Sequence, residues 1–169
     1  MRGNVGTRLN KLDRGEYDAL LLASAGLKRL GLGTRINECL SVSDSLPAPG
    51  QGALGIECRA QDKELIALLD VLADLPCATT VGAERAVSAG LGADCSAPLG
   101  AYAEMKANGI ELKAVLASLD GTVVLRATAV GDDPVRLGRR VAEQLLVQGG
   151  ERILASSRTA TRPRACKSR

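Results

Sequence analysis

Residues 101–125 read AYAEMKANGIELKAVLASLDGTVVL, and no other stretch of the chain specifies its structure so clearly. Apolar and polar residues alternate from Ile110 to Leu116, which is the period of a half-buried β-strand. Asn108–Gly109 and Asp120–Gly121 separate this segment from its neighbours, and both dipeptides favour tight hairpin turns. The pattern therefore predicts a three-stranded antiparallel sheet.

Helices are predicted before and after these strands in the sequence. Upstream, Asp62–Leu75 places its leucines on one helical face, and a second helix is expected from about Thr80 to Ser88. Downstream, a helix is predicted to begin at Asp133–Pro134 and to end at Gly149–Gly150. The three strands are therefore predicted to follow two helices and to precede a third.

The amino-terminal third has a different pattern. Residues 4–12 have helical spacing with Asn4 as the expected N-cap, and Ala25–Leu32 predicts a second short helix. The apolar run Tyr17–Leu22 between them is typical of a buried strand, as is Ala53–Cys58 further on. Strands flanked by helices predict an α/β unit.

The composition excludes several classes of function. The 169 residues include no histidine, no Phe or Trp and only two Tyr, so neither His-dependent catalysis nor nucleic-acid binding by stacked aromatic rings is expected. The five cysteines form no CxxC pair, which argues against a zinc site or any other metal centre. No secretory or membrane-spanning run is present, so a cytoplasmic protein without a membrane partner is expected.

One cysteine is a candidate for chemistry. Cys95 lies in GLGADCSAPLG (residues 90–100), a loop rich in glycine and proline, where a thiol is accessible and backbone amides can point towards it. An inert loop thiol explains the same residues equally well. Cys58 and Cys77 lie in periodic apolar segments instead and are expected to be buried.

Several charged residues are candidates for a binding site. Arg2, Arg8 and Arg29 lie near a predicted helix start or strand end, where guanidinium groups bind carboxylates well. A solvated basic face is the alternative. Glu84 is expected to form a local ion pair with the adjacent Arg85.

The segment Ser41–Gly52, called here the hinge segment, is rich in Ser, Pro and Gly and is the clearest linker in the chain. Its Gln51 offers an amide donor and acceptor between two glycines. On these residues alone, a plain linker is the simpler interpretation.

Four segments occur in a specific order: RGNVGTRLNKLDRGEYDALLLASAGLKRLG (residues 2–31), LPAPGQGALGIECR (46–59), AERA (83–86) and a cysteine loop ending in PLG (98–100). Together they resemble the porphobilinogen deaminase (hydroxymethylbilane synthase) family of tetrapyrrole and heme biosynthesis. The resemblance runs from Arg2 to about Leu154 and corresponds to the carboxy-terminal half of the family's chain.

The resemblance implies a transferase that condenses four porphobilinogen molecules into hydroxymethylbilane and releases ammonia. It places a covalent dipyrromethane cofactor on Cys95 through a thioether. It also implies that Arg2, Arg8 and Arg29 bind the carboxylates of the cofactor and the growing oligopyrrole, with Gln51 near the cleft. Family members need no metal or nucleic acid and are usually monomeric.

The family fold implies four regions here. Residues 1–46 would end the second α/β domain, and residues 47–74 would form the hinge and the return into the first. Both would be remnants of α/β domains like those of periplasmic binding proteins. Residues 75–155 would form the complete α+β domain that carries the cofactor, with its three-stranded antiparallel sheet. Residues 156–169 are predicted to be a disordered basic tail.

Two departures from the family pattern are expected to matter. No residue here matches the family's catalytic aspartate, which lies in the amino-terminal half, so this chain alone is expected to be an inactive fragment. The alternative function is a non-catalytic tetrapyrrole-binding or interaction remnant. Asp94 also stands before Cys95 where the family has glycine, and it is expected to raise the pKa of the thiol and to strain the backbone.

Overall fold

The computed structural model of the chain describes residues 3–94 and 96–161, with side chains through residue 158. The chain divides into two compact units, residues 1–41 and residues 42–169. The second unit contains the predicted α+β domain.

The first unit is built from short helices. Helix α1 spans Val5–Asp13, helix α2 spans Ser24–Arg29, and a 3₁₀ turn spans Gly33–Arg35. The predicted N-cap of α1 is confirmed, because the Asn4 side chain accepts a hydrogen bond of 2.9 Å from the Thr7 N–H.

In the second unit the predicted sheet is confirmed. Strands β1 (Leu99–Lys106), β2 (Gly109–Ala117) and β3 (Val124–Gly131) are antiparallel and lie in the order β1-β2-β3. Residues of β2 alternate between buried and half-buried along its whole length. This alternation is the structural counterpart of the sequence period, since one face of the sheet packs against helices.

The described part of the second unit also contains four helices. Helix α3 spans Lys63–Asp70, α4 Leu75–Gly90, α5 Pro134–Val147 and α6 Gly150–Thr161. The predicted start of α5 is confirmed, because the Asp133 carboxylate accepts a hydrogen bond from the N–H of the third residue along. Helices α4 and α5 pack against the sheet and against each other.

The core of the second unit is aliphatic, as a chain almost without aromatic residues requires. Complete burial of one leucine or isoleucine side chain stabilises a fold by about 1.5–3 kcal/mol. The largest apolar side chains with almost no exposed surface are those of Val87, Ile110, Leu112, Leu116, Val141 and Leu145.

Small residues let α4 and α5 approach closely. An ideal Cβ built on Gly138 of α5 would lie 2.4 Å from the Ala86 Cβ and 2.5 Å from the Ala83 carbonyl oxygen. At the other end of the crossing, a Cβ on Gly90 would lie 2.7 Å from the Ala142 Cβ. The packing of these two helices therefore depends on glycine at both positions.

Two predicted strands are wrong. Tyr17–Leu22 and Ala53–Cys58 form neither helix nor strand. Leu21 is 78% exposed and Leu54 is 88% exposed, whereas Leu20 and Leu22 are half-buried. A strand needs a neighbour for its N–H and C=O groups, and the residues described before position 99 include no strand. The predicted α/β remnant is therefore not confirmed, whereas the mixed fold with its three-stranded antiparallel sheet is.

The predicted disordered tail begins too early. Helix α6 continues through Thr161, and Ser157 within it is buried, so residues 156–161 are corrected to helix. Residues 162–169 lie outside the described residues. Burial of Ile153 and Leu154 against the core gives this helix the apolar face that the basic composition of the tail obscured.

None of the described helices combines the length and the hydrophobicity that a single membrane span requires. Helices α3 and α4 together satisfy length and composition, but they meet at a bend of 109°.

Candidate functional site

The loop that contains position 95 starts from a fixed helix end. The N–H of Gly92 donates to the Ala89 carbonyl, and that of Ala93 donates to the Ser88 carbonyl over 2.9 Å. With Gly92 at a φ of +56°, these two bonds form the Schellman arrangement that ends many helices. We call residues 91–98 the cysteine loop. Cys95 itself lies outside the described residues, so its predicted role stays a prediction.

Asp94 organises the backbone on both sides of position 95. Its Oδ1 accepts hydrogen bonds from the Ser96 N–H, at 2.9 Å, and from the Ser96 hydroxyl. The Ala97 N–H donates to the Asp94 carbonyl over 3.1 Å. The prediction that Asp94 strains the backbone is wrong. No described residue other than glycine has a positive φ, so Asp94 is not in a conformation that requires glycine.

These contacts also favour the ionised form of Asp94. The Ser96 hydroxyl and the Ser96 N–H lower the pKa of the Asp94 carboxyl, and the charge of Arg158 adds to this effect. Asp94 is therefore a carboxylate at neutral pH. The expected rise in the pKa of the neighbouring thiol stays a prediction.

Glu84 does not form the predicted ion pair with Arg85. It is 6% exposed, and its carboxylate accepts one hydrogen bond from the Gly50 N–H, at 2.7 Å, and one from the Ala103 N–H, at 2.9 Å. Residues one apart on a helix point in different directions, so Glu84 faces the core while Arg85 faces outwards. Glu84 thereby ties the hinge segment to strand β1.

A second bond holds the hinge segment to the sheet. The Ala101 N–H donates to the Pro47 carbonyl over 2.9 Å, so the segment runs alongside the start of β1. Within it, a turn closes from Ala48 to Gln51 over 2.9 Å, with Gly50 at a φ of +72°. Gln51 itself is exposed at this turn. Residues 47–51 of the predicted linker are thus held in place within the second unit.

The hinge segment, helix α4 and the cysteine loop meet along one open groove. Its volume is about 890 Å³, which is large enough for a small organic ligand. Pro49 lines it from the hinge segment, Arg85 from α4, and Asp94 and Ala97 from the cysteine loop. Position 95 lies between these last two residues in sequence. Arg85 thus brings a cation to the groove. This is the cation that was predicted to pair with Glu84.

The three arginines that were predicted to bind carboxylates belong to the first unit. The Arg8 guanidinium is half-buried and donates from Nε to the Gly3 carbonyl over 2.9 Å. Arg29 is the last residue of α2 and is exposed. Arg2 lies outside the described residues. Their role towards an anionic ligand stays a prediction.

The other cysteines differ from expectation. Cys58 and Cys77 were expected to be buried, but both are exposed, as is Cys39. Cys58 follows a segment that lacks a partner strand, and Cys77 lies in the first turn of α4. Exposure is therefore shared by three thiols of the described residues, and none of these three lines the groove.

The second unit is thus an α+β domain with an open groove along one helix. Comparison with known proteins assigns it more closely. Residues 1–67 match the family model described as the dipyrromethane cofactor binding domain of porphobilinogen deaminase, and residues 78–147 match that of its C-terminal domain. The chain belongs to the porphobilinogen deaminase family, whose members are transferases of porphyrin and heme biosynthesis.

Relatives named porphobilinogen deaminase are similar over most of this chain. The protein of Thiobacillus denitrificans is 51% identical over 156 residues, which are 91% of this chain and 51% of the relative. That of Coxiella burnetii is 49% identical over the same shares. That of Acidithiobacillus ferrooxidans is 48% identical over 160 residues, 95% of this chain and 52% of the relative. The chain thus spans about half the length of these curated relatives.

Proposed function

We propose that this chain holds a dipyrromethane group on Cys95 and serves hydroxymethylbilane synthesis in the cytoplasm. In that reaction four porphobilinogen molecules are joined head to tail, and ammonia is released. The observation that supports this proposal most directly is the groove beside the cysteine loop, in a domain that matches the family's C-terminal model. A monomer that binds neither nucleic acid nor membrane is part of the proposal.

The residues present have the chemistry that a dipyrromethane group requires. A thiolate is a soft nucleophile suited to forming a thioether with a pyrrole methylene carbon. The groove has the volume for two pyrrole rings, and the exposed Arg85 guanidinium on its wall can bind one of their carboxylates. When bound, the group supplies the covalent anchor on which the pyrrole chain grows.

The chain's own residues would act by binding and orientation. Glu84 and the Pro47 carbonyl hold the hinge segment beside the groove, so that Gln51 lies at a fixed turn. Arg2, Arg8 and Arg29 would add positive charge towards the acetate and propionate groups. Asp94, kept ionised by Ser96, fixes the backbone on either side of the reacting thiol.

Attachment at Cys95 is testable by intact-mass spectrometry. We expect the chain, produced together with the unmatched half of the Thiobacillus denitrificans relative and given porphobilinogen, to gain the mass of one dipyrromethane. The Cys95→Ser variant should gain none, because a hydroxyl is a far weaker nucleophile than a thiolate. Cys77→Ser, which removes an exposed thiol elsewhere on α4, should keep the full adduct. An adduct that persists in Cys95→Ser contradicts the assignment.

The alternative, tetrapyrrole binding without turnover, is favoured for the isolated chain because it covers only about half of its relatives. We expect the chain alone to convert no porphobilinogen, as measured by product absorbance after oxidation. It should nevertheless bind a carboxylated porphyrin, with heat that falls as salt rises. Turnover by the chain alone would contradict this prediction, and restored turnover on adding the relative's other half would support it.

A further inference from the structure

Arg158 of α6 reaches the cysteine loop from the far end of the sequence. Its Nη2 donates to the Gly92 carbonyl over 2.8 Å, across a separation of 66 residues. Gly92 is the left-handed residue of the helix end from which the loop departs, and a Cβ built on it would lie 3.5 Å from the same Nη2. The guanidinium therefore rests directly on the backbone that sets the direction of the loop.

The backbone of helix α6 is held in place next to Arg158. Ser157, beside it, is 2% exposed, and its hydroxyl donates to the Leu154 carbonyl over 2.9 Å. Leu154 and Ile153 are buried in the core. The Arg158 side chain is itself exposed, so its position is set by the anchored helix backbone and by its hydrogen bond to the Gly92 carbonyl.

The charge of Arg158 acts on the loop as well. It helps to lower the pKa of Asp94, the residue that orders Ser96 on the other side of position 95. A single guanidinium thus contacts the loop at residue 92 and acts electrostatically on it at residue 94. A guanidinium is suited to this because it is always charged and has five donors, of which the carbonyl of Gly92 uses one.

We propose that Arg158 is a positioning residue: through the Gly92 carbonyl it orders the backbone of the cysteine loop where the loop borders the groove, and this order promotes attachment of a ligand at Cys95. This inference rests on the proposed function for the identity of that ligand. It gives the carboxy-terminal helix a role in cofactor attachment, although Arg158 does not itself react.

The test compares Arg158→Ala and Arg158→Lys with Arg152→Ala, which removes an exposed arginine from the same helix. Hydrogen exchange of the peptide covering residues 91–98 reports on the loop, whose amides at 92, 93, 96 and 97 are hydrogen-bonded. We expect exchange about tenfold faster in Arg158→Ala, as for loss of one hydrogen bond from a charged donor. Arg158→Lys should be intermediate, and Arg152→Ala should match the unmodified chain.

A second readout is the rate of adduct formation at Cys95 in the reconstituted mixture described above. We expect Arg158→Ala to slow it about tenfold, while exchange in β2 stays unchanged, a pattern that general destabilisation does not produce. If Arg158→Ala matches Arg152→Ala in loop exchange and adduct rate, the inference is wrong and the proposed function stands. If the unmodified chain forms no adduct, the proposed function is wrong. Loop exchange alone then supports or refutes the positioning of the loop by Arg158.

Discussion

Gly138→Val is expected to lower the free energy of unfolding of the second unit by about 3 kcal/mol, at the upper end of the usual cost of overpacking. The reason is the contact between α4 and α5. A Cβ at this position would lie 2.5 Å from the carbonyl oxygen of Ala83 and 2.4 Å from the Ala86 side chain. One of these obstacles is backbone, so it cannot rotate away, and the helices must separate.

Gly138→Ala has two opposing effects on stability, one from helix propensity and one from packing. In an exposed helix, Gly→Ala stabilises by about 1 kcal/mol because alanine loses less entropy on folding. At Gly138 the added methyl group meets the same backbone as valine does, so we expect a net loss of stability of about 1–2 kcal/mol. The sign of the change, opposite to the helix propensity, identifies packing as its cause.

Gly82→Ala on α4 is the matched control, because the nearest atom to its new Cβ would be Pro134 Cβ at an ordinary 3.9 Å. Urea unfolding followed by far-ultraviolet circular dichroism measures all three variants. Gly82→Ala should be neutral or stabilising. If Gly138→Val unfolds at the same urea concentration as Gly82→Ala, the close crossing of α4 and α5 does not exist in solution.

Local sequence patterns predicted the sheet because its determinants are local. The alternation through β2 and the Asn-Gly and Asp-Gly turns each lie within a few residues, and they agree with one another. The start of α5 was predictable for the same reason, since a capping aspartate followed by proline favours one backbone conformation.

The strand predictions for Tyr17–Leu22 and Ala53–Cys58 were wrong. An apolar run shows that a segment has side chains to bury, but it does not show that the fold provides a surface that buries them. Periodicity alone does not distinguish a strand with neighbours from the same residues without them. The described residues before position 99 include no strand that could pair with either segment, and Leu21 and Leu54 stay exposed.

The candidate site was only partly predictable. Sequence reasoning identified the cysteine loop and the hinge segment by their glycines and prolines, but nothing local indicated that they border one groove. Arg158 was assigned to a tail because basic residues dominate there, whereas the buried Ile153 and Leu154 fix the helix. Contacts across 66 residues depend on the tertiary fold, which no short pattern encodes.

Glu84 was misassigned because its neighbour in sequence is an arginine. Its actual partners, the N–H groups of Gly50 and Ala103, lie 34 and 19 residues away. Backbone donors cannot be removed by substitution, so they would stay unsatisfied if the carboxylate were lost. This distinguishes Glu84 from a buried ion pair, whose two side chains can be replaced together.

We therefore expect Glu84→Leu to lower the free energy of unfolding of the second unit by about 3 kcal/mol, since two amides lose a charged acceptor at a buried site. Glu84→Gln keeps one acceptor oxygen but turns an NH₂ group towards the other amide, so a loss of about 1–2 kcal/mol is expected. Glu143→Gln, an exposed carboxylate on α5, should change stability by less than about 0.5 kcal/mol.

Hydrogen exchange resolves where the loss occurs. In Glu84→Gln the amides of Gly50 and Ala103 should exchange faster, while those at the centre of β2 keep their protection. Because Gly50 belongs to the hinge segment that lines the groove, the same variant should weaken porphyrin binding even where the domain stays folded. Unchanged exchange at Gly50, together with full stability of Glu84→Leu, would show that the hinge segment is held by Pro47 and its own turn, and that Glu84 is dispensable to the site.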